Sequence, residues 1–479
     1  MKRQFSNYVA IISCVLAASV ALWPVTGRAQ AEAVNELKAL AEKGDATAQS
    51  KLGMKYYLGQ DVLQHYAEAA RWFQKAAEQG DLTAQKTLAA MFYQGQGVPQ
   101  NDLEAANWYR KAAEKGDAGS QNILGLMSAN GQGGPTNYVA AVKWFRKAAD
   151  QGVSAAQRNL GVLYTAGLGV TADRVEALDW FRKAAEQGDV QSQNELGRAL
   201  ISGSGVPKDA KEGLKWIRKA ADGGDLVAQN NLGTLYYFGE GVATDDKEAL
   251  NWFRKAAEHG HPQAEYYLGL MYANGRGVNK DLGEALKWYR QSADHGYVMA
   301  INELGWMYER GNGVASDPAE AVKWYRKAAD EGYATAQHNL AVMYANGKGT
   351  AKELAEAMKW YRKAAEQGQA VSQNEIGWMY DQGIGVTKDS KQAAEWFRKA
   401  ADQGLELAQQ NLGLLYANAS GVEQDYVEAY KWFNLAAAQG NTNAVSFRQS
   451  VMQKMTPAQV NEGQRRAAEF LERKKTAGQ

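Results

Sequence analysis

The sequence has little cysteine, little histidine and no excess of either charge. Cysteine occurs once in 479 residues, at Cys14, which excludes a disulfide-stapled scaffold. Five histidines leave few ligands for a metal centre. The 54 Lys+Arg balance 53 Asp+Glu, so no net field draws the chain to nucleic acid or anionic lipid. With 45% hydrophobic and 22% charged residues, the composition is ordinary for a globular protein. Wholesale disorder and collagen-like structure are excluded. What is abundant is glycine, at 49, and tryptophan, at 14.

The first thirty residues read as an export address. Lys2 and Arg3 form a basic start, and an apolar stretch follows from Val9 to Trp23. That run is short for a membrane span of ~20 residues. Ala29-Gln30-Ala31 matches the small-x-small pattern of signal peptidase, and cleavage after Ala29 competes with cleavage after Ala31. Residues 1–31 are therefore expected to be a cleaved signal peptide rather than an anchor. The mature chain would be periplasmic or secreted, without stable membrane insertion. Removing Lys2, Arg3 and Arg28 leaves 51 basic and 53 acidic residues, and no cysteine.

The remainder is one unit written eleven times. Tryptophan recurs every 36 residues from Trp72 to Trp432, and glycine keeps the same period from Gly44 to Gly440. A fixed period of this size signals a solenoid, here over residues 45–440. Each unit reads as two helices. In residues 225–260, Asp225 is an N-cap, and Ala228, Leu232, Leu235 and Tyr236 follow at helical spacing. Gly239 and Gly241 break that helix. Asp245 with Glu248 suggests a capping box for the second helix. Ala249, Trp252, Phe253, Ala256 and Ala257 share its inner face, and Gly260 ends it. The recurrent tryptophans are expected to be core. Glycines at the Gly233 position are expected to let two helices approach closely. Residues 32–44 are expected to cap the N-terminal end, and 441–479 to cap the other and end in a frayed tail.

These residues carry a family resemblance. Ala156, Leu160, Gly161 and Tyr164, then Gly167, Gly169 and Val170, then Glu176-Ala177-x-x-Trp180-Phe181-Arg182-Lys183-Ala184-Ala185-Glu186 and Gly188 resemble the Sel-one-like repeat (SLR), a relative of the tetratricopeptide repeat. The resemblance implies an all-α, right-handed superhelical α-solenoid of eleven helix-turn-helix repeats with terminal capping helices. Local departures are Asp61 and Ala419 in place of turn glycines, and Gly134-Pro135.

A catalytic site would show as a break in the period, because chemistry needs unlike residues converging. His259 and His295 stand at equivalent places beside His261. The expected role of this trio is helix-end histidine rather than zinc ligand. No serine stands in a nucleophile elbow, and the Gly-x-Gly turns are no P-loop. The Arg-Lys pairs, such as Arg110-Lys111 and Arg398-Lys399, are followed by acids such as Glu114. They are expected to form a solvated face of ion pairs. No enzyme activity, cofactor or metal is expected, and the chain is expected to be a monomer.

By resemblance to tetratricopeptide arrays, the first helix of each unit would line a concave face. Counting from Leu232, Gly233 and Tyr236 gives candidate groove residues Tyr237, Phe238, Tyr266, Asn274, Asn302, Trp306, Arg310, His338, Asn374 and Trp378. Trp306 and Trp378 are tryptophans the frame does not require, and aromatics with Arg typify hot spots. The expected function is an exported scaffold or adaptor binding a protein partner, not nucleic acid, on this face. Family members of this kind act in envelope complexes, signalling and host contact, and some bind immunoglobulin. Two alternatives stand beside it. One is a cell-wall or β-lactam-binding or hydrolysing protein, like the cysteine-rich secreted branch. The other is a periplasmic regulator docking on a membrane sensor.

Overall fold

A computed structural model describes residues 27–477. Among the described residues there are 25 helices and no strand. Residues 1–26 of the expected signal peptide lie outside them. Residues 27–31 open the helix Gly27–Glu42, which is longer than the expected cap. No described helix is long and apolar enough to cross a membrane. The chain divides into two units, ending at Thr244 and starting at Asp245. The first holds the N-terminal helix, five helix pairs and the helix Leu226–Phe238. The second holds the helix Asp246–Ala257, five pairs and two terminal helices.

The repeat covering residues 153–188 shows how the sequence makes each pair. Its first helix, Ser154–Ala166, stops at Gly167, whose φ of 65° is a left-handed stop that glycine reaches without steric cost. Asp173 then caps the helix Arg174–Glu186 by accepting the Glu176 amide at 3.0 Å. The expected reciprocal half of the capping box is absent here. The Asp173 amide donates back to Tyr164 O at 3.0 Å, and Glu176 instead accepts the Trp180 indole N–H at 3.0 Å.

The close approach is made by the residue after the frame tryptophan, an aromatic in ten of the eleven repeats and Ile217 in the other. A Cβ at Gly161 would lie 2.9 Å from the Phe181 ring, and one at Gly125 would lie 2.6 Å from Phe145. Phe73, Phe145, Phe253, Tyr325 and Phe433 are among the largest fully buried side chains. Truncating such a ring typically costs about 3–5 kcal/mol.

A glutamine latch joins three successive helices. Gln157 donates to Ala149 O of the preceding helix at 3.2 Å and accepts from Gln187 at 2.8 Å. The same glutamine pair recurs as Gln49–Gln79, Gln121–Gln151, Gln337–Gln367, Gln373–Gln403 and Gln409–Gln439. In residues 261–296 the pair is replaced on both sides. Glu265, 2% exposed, meets His295 Nδ1 at 2.9 Å.

Apart from contacts such as Arg146–Glu176 at 3.4 Å, the Arg-Lys pairs are not the acid-paired surface expected. The lysine lies over the indole three residues before it: Lys183 over Trp180 at 3.9 Å, Lys255 over Trp252 at 3.9 Å, Lys399 over Trp396 at 4.0 Å. The arginine reaches the tyrosine hydroxyl of the next helix, as in Arg254–Tyr272 and Arg362–Tyr380. Ion pairs of i,i+3 spacing do occur on these second helices, but they join the Glu of the first turn to the residue before the tryptophan, as in Lys323–Glu320.

Asp61 and Ala419 keep the left-handed turn of the glycines they replace, with φ of 61° and 57°. At the C-terminal end, Thr456 and Gln459 form the full reciprocal box, at 3.3 and 2.8 Å, ahead of the helix Pro457–Ala477. Ala467 and Phe470 are buried, and Phe470 meets Trp432 edge-on at 5.4 Å. Residues 473–477, expected to fray, continue this helix.

Candidate functional site

A first helix packed on neighbours along two flanks exposes one narrow stripe. In the helix Val298–Arg310 the outward residues include Trp306 and Arg310, with Glu303 half-buried between them and the core. In the helix Ala370–Gln382 they are Val371, Trp378 and Gln382, again with Glu375 half-buried. These positions step by three and four residues, as one helix face requires. Solvent reaches 42% of Trp306 and 44% of Trp378, and Leu407 of the next first helix is also exposed. The intervening helix Ala334–Asn346 contributes Asn339, Val342 and Asn346 at the same positions. The stripe therefore runs over residues 298–418 within the second unit.

The ten sequence-derived candidates divide. Trp306, Arg310, Asn274 and Trp378 are exposed on the second unit. Asn302 and Asn374 are not on the open stripe, being 5% and 2% exposed. Their carbonyl oxygens each accept an amide from the next first helix at 3.0 Å, from Asn339 and from Asn411. They tie first helices together, as Asn194 does with Asn231 in the first unit. Tyr266 is half-buried among Tyr267, Tyr289 and Tyr297, with ring centroids 5.3–5.7 Å away. Burial pushes its hydroxyl pKa up. His338 is half-buried, with Nδ1 2.9 Å from Ser372 Oγ, and burial lowers its pKa. Tyr237 and Phe238 belong to the first unit. Tyr237 is buried and Phe238 exposed, their rings 4.8 Å apart.

Counting from the packing residues gives the Trp306, Arg310 and Trp378 positions correctly and is one residue early only at Asn302 and Asn374, where Glu303 and Glu375 face outward. Val371 and Leu407 lie in the first turn, which that count does not reach. The signal was available: three and four residues either side of an exposed Trp306 lie Glu303 and Arg310. Both glutamates have pKa values raised by burial, opposed by the neighbouring amides of Asn302 and Asn374.

The histidine trio does not converge on a metal. His261 Nδ1 caps the helix Pro262–Asn274 by accepting the Ala264 amide at 3.3 Å, and His295 faces Glu265. A shallow depression there is lined by Glu258, Glu265, Trp288, Asp294 and His295 among others. No group of three or more metal-type ligands occurs among the described residues.

The Sel1 repeat model matches the chain eleven times, from residues 46–81 to 407–441. The chain belongs to the Sel1 repeat family. It is similar in structure to c5321, a protective antigen of uropathogenic Escherichia coli displaying an SLR fold. The two are 39% identical, with a TM-score of 0.73 over 92% of this chain and 94% of that one. A Sel1 repeat protein from Oxalobacter formigenes is 36% identical, with a TM-score of 0.52 over 66% of this chain and 93% of that one. No curated protein sequence matches the chain. This Sel1 array is thus an all-helical α-solenoid, a fold typical of protein–protein interaction scaffolds rather than of catalysts.

Proposed function

We propose that this Sel1 repeat protein is an exported, non-enzymatic interaction scaffold whose binding face is the first-helix stripe of residues 298–418. The observation that carries the reading is the exposure of Trp306 and Trp378 at equivalent positions, 72 residues apart. The repeat frame buries or half-buries its own tryptophans, so these two do not serve it. Exposed large aromatics on a rigid face are what interface hot spots are made of. The basic start, apolar run and small-x-small site of residues 1–31 support export. The likeness to a protective antigen of uropathogenic Escherichia coli supports a partner outside the cell, either in the envelope or from the host.

The test compares immobilised wild-type protein with a Trp306→Ala/Trp378→Ala double variant, using envelope extract and host secretions. The expected result is a partner retained by the wild type and lost, at least tenfold, by a variant that melts at the wild-type temperature. Equal retention by both proteins sinks the reading. Sequencing the mature N-terminus checks export; an intact Met1 counts against it.

A further inference from the structure

The frame shows how this molecule covers an indole at the edge of its core. Nine of the eleven frame tryptophans, from Trp72 to Trp396, carry the ammonium of the lysine three residues later, at 3.7–5.4 Å from the ring centroid. In two of them the indole N–H also rests on a glutamate one turn earlier, Glu176 for Trp180 and Glu248 for Trp252. Carboxylate, indole and cation thus stack along one helix side.

Trp306 and Trp378 have a carboxylate within one turn, though not the bond from the indole N–H, and lack the cation. Glu303 and Glu375 stand three residues before them, one turn away on the same face. The residues three after them are Glu309 and Asp381, not lysines. Glu309 is engaged by Lys348 at 2.9 Å and by the Tyr325 hydroxyl at 2.8 Å. Asp381 accepts from Gln382 at 2.6 Å. Neither Glu303 nor Glu375 makes an ion pair among the described residues, and no described cation lies over either indole. Arg310 sits two turns beyond Glu303, about 10 Å along the axis at 1.5 Å per residue, and opens the end of the stripe.

We propose that the stripe takes an extended basic polypeptide segment, one Lys or Arg side chain seating on each Glu-x-x-Trp pair. The stem would lie on the indole and the charged head would meet the carboxylate. Neighbouring helices pack 8–10 Å apart, so the two seats, two repeats apart, are roughly 16–20 Å apart. At about 3.3 Å per residue that is five or six residues of extended chain. Asn346, exposed between the seats, offers its side-chain amide to the backbone of the segment. This inference rests on the binding face proposed above and adds the chemistry of its occupant.

The probe is a twelve-residue peptide, uncharged apart from two arginines six positions apart, titrated calorimetrically against the full mature chain. Controls carry two glutamates at those positions, or the arginines adjacent. We expect the spaced arginine peptide to bind at least tenfold more tightly than either control. We expect Glu303→Gln/Glu375→Gln to lower that affinity at least tenfold without lowering the melting temperature, since burial disfavours these charges in the fold. No preference for the spaced arginine peptide overturns the inference, as does unchanged affinity in the glutamine variant. Binding of a neutral oligosaccharide in place of the peptide also overturns it. If the retained natural partner is lost by the Trp306→Ala/Trp378→Ala protein yet kept by Glu303→Gln/Glu375→Gln, the binding face stands and its basic occupant falls.

Discussion

The two units build the same helix pairs with different chemistry along their first helices. In the first unit, five of six first helices begin at an aspartate whose side chain accepts an amide of the first turn: Asp45, Asp81, Asp117, Asp189 and Asp225. Three of these carboxylates also serve the preceding repeat. Asp81 accepts from Ser50 at 2.9 Å, Asp117 pairs with Lys86 at 2.9 Å, and Asp189 with Arg158 at 2.5 Å. In the second unit the same position holds His261, Tyr297, Tyr333, Gln369 and Leu405, and only His261 caps by its side chain.

The charge follows the caps. First helices of the first unit carry Lys51, Lys55, Lys86, Arg158 and Arg198 against Glu195 alone. Those of the second carry Glu265, Glu303, Glu309, Glu375, Asp381 and Glu406 against Arg310. In the first unit several of these cations are spent on internal partners. In the second, cap aspartates are exchanged for His, Tyr, Gln and Leu, and two carboxylates are left half-buried beside the open face. One row is built to hold itself together; the other gives up that polar seal and presents a surface.

The comparison breaks most severely at Asp189. Asp189→Ala removes both the cap on Ser192, at 2.9 Å, and the carboxylate facing a mostly buried Arg158. A loss of about 3 kcal/mol is expected. In hydrogen exchange it should appear as faster exchange concentrated in the helix Val190–Ser202. An unchanged exchange rate there would show that the polar seal contributes nothing.

The converse exchange should strengthen the second unit. Gln369→Asp places the cap of the first unit ahead of the helix Ala370–Gln382, where no side-chain cap exists. A gain of about 1 kcal/mol is expected, read as roughly fivefold slower exchange in that helix. Faster exchange would show that the contact of Gln369 with Ser372 is worth more than a cap.

A smaller, pH-dependent effect separates the units further. Burial lowers the pKa of His261 and His338, whereas no first helix or first-helix cap of the first unit holds a histidine. A histidine with a depressed folded pKa contributes stability that is present above its unfolded value, about 6.5, and lost as pH falls through the folded value. Protonated His261 also cannot accept the Ala264 amide. Acidification below about pH 6.5 should therefore loosen the helices Pro262–Asn274 and Ala334–Asn346 while sparing the first helices of the first unit, whose histidine cap, His65, opens a second helix. His261→Asp should remove the effect from the first of these helices. The raised carboxylates Glu303 and Glu375 act in the opposite sense, regaining stability as pH falls toward ordinary glutamate values.

The period, the helix pairs and the roles of the turn glycines were legible in the sequence, because each depends on residues close in the chain. The Gly-to-ring contact was half legible: Gly161 announced a close approach, but its partner Phe181 lies in the other helix. The seams were not legible. Asn302 meets Asn339 across 37 residues, a spacing that belongs neither to the helical turn nor to the 36-residue period. Arg254 finds Tyr272 across 18. Acids nearby in sequence looked like the partners of the Arg-Lys pairs, whereas the indole and the next helix supplied better ones. Of the site, the two tryptophans were visible as surplus to the frame. Which of their neighbours share the open stripe depended on a one-residue register that packing decides.

The absence of a lysine over Trp306 and Trp378 also makes these two indoles the natural optical probes of the protein. The frame indoles sit in apolar or cation-covered surroundings, shielded from collision with solutes. These two stand in water. A neutral collisional quencher such as acrylamide should reach them first and deplete the long-wavelength edge of the emission. Anything that settles on the stripe should move that edge toward the blue and slow the quenching. The chain carries its own fluorophores on the one surface whose occupancy most needs to be watched.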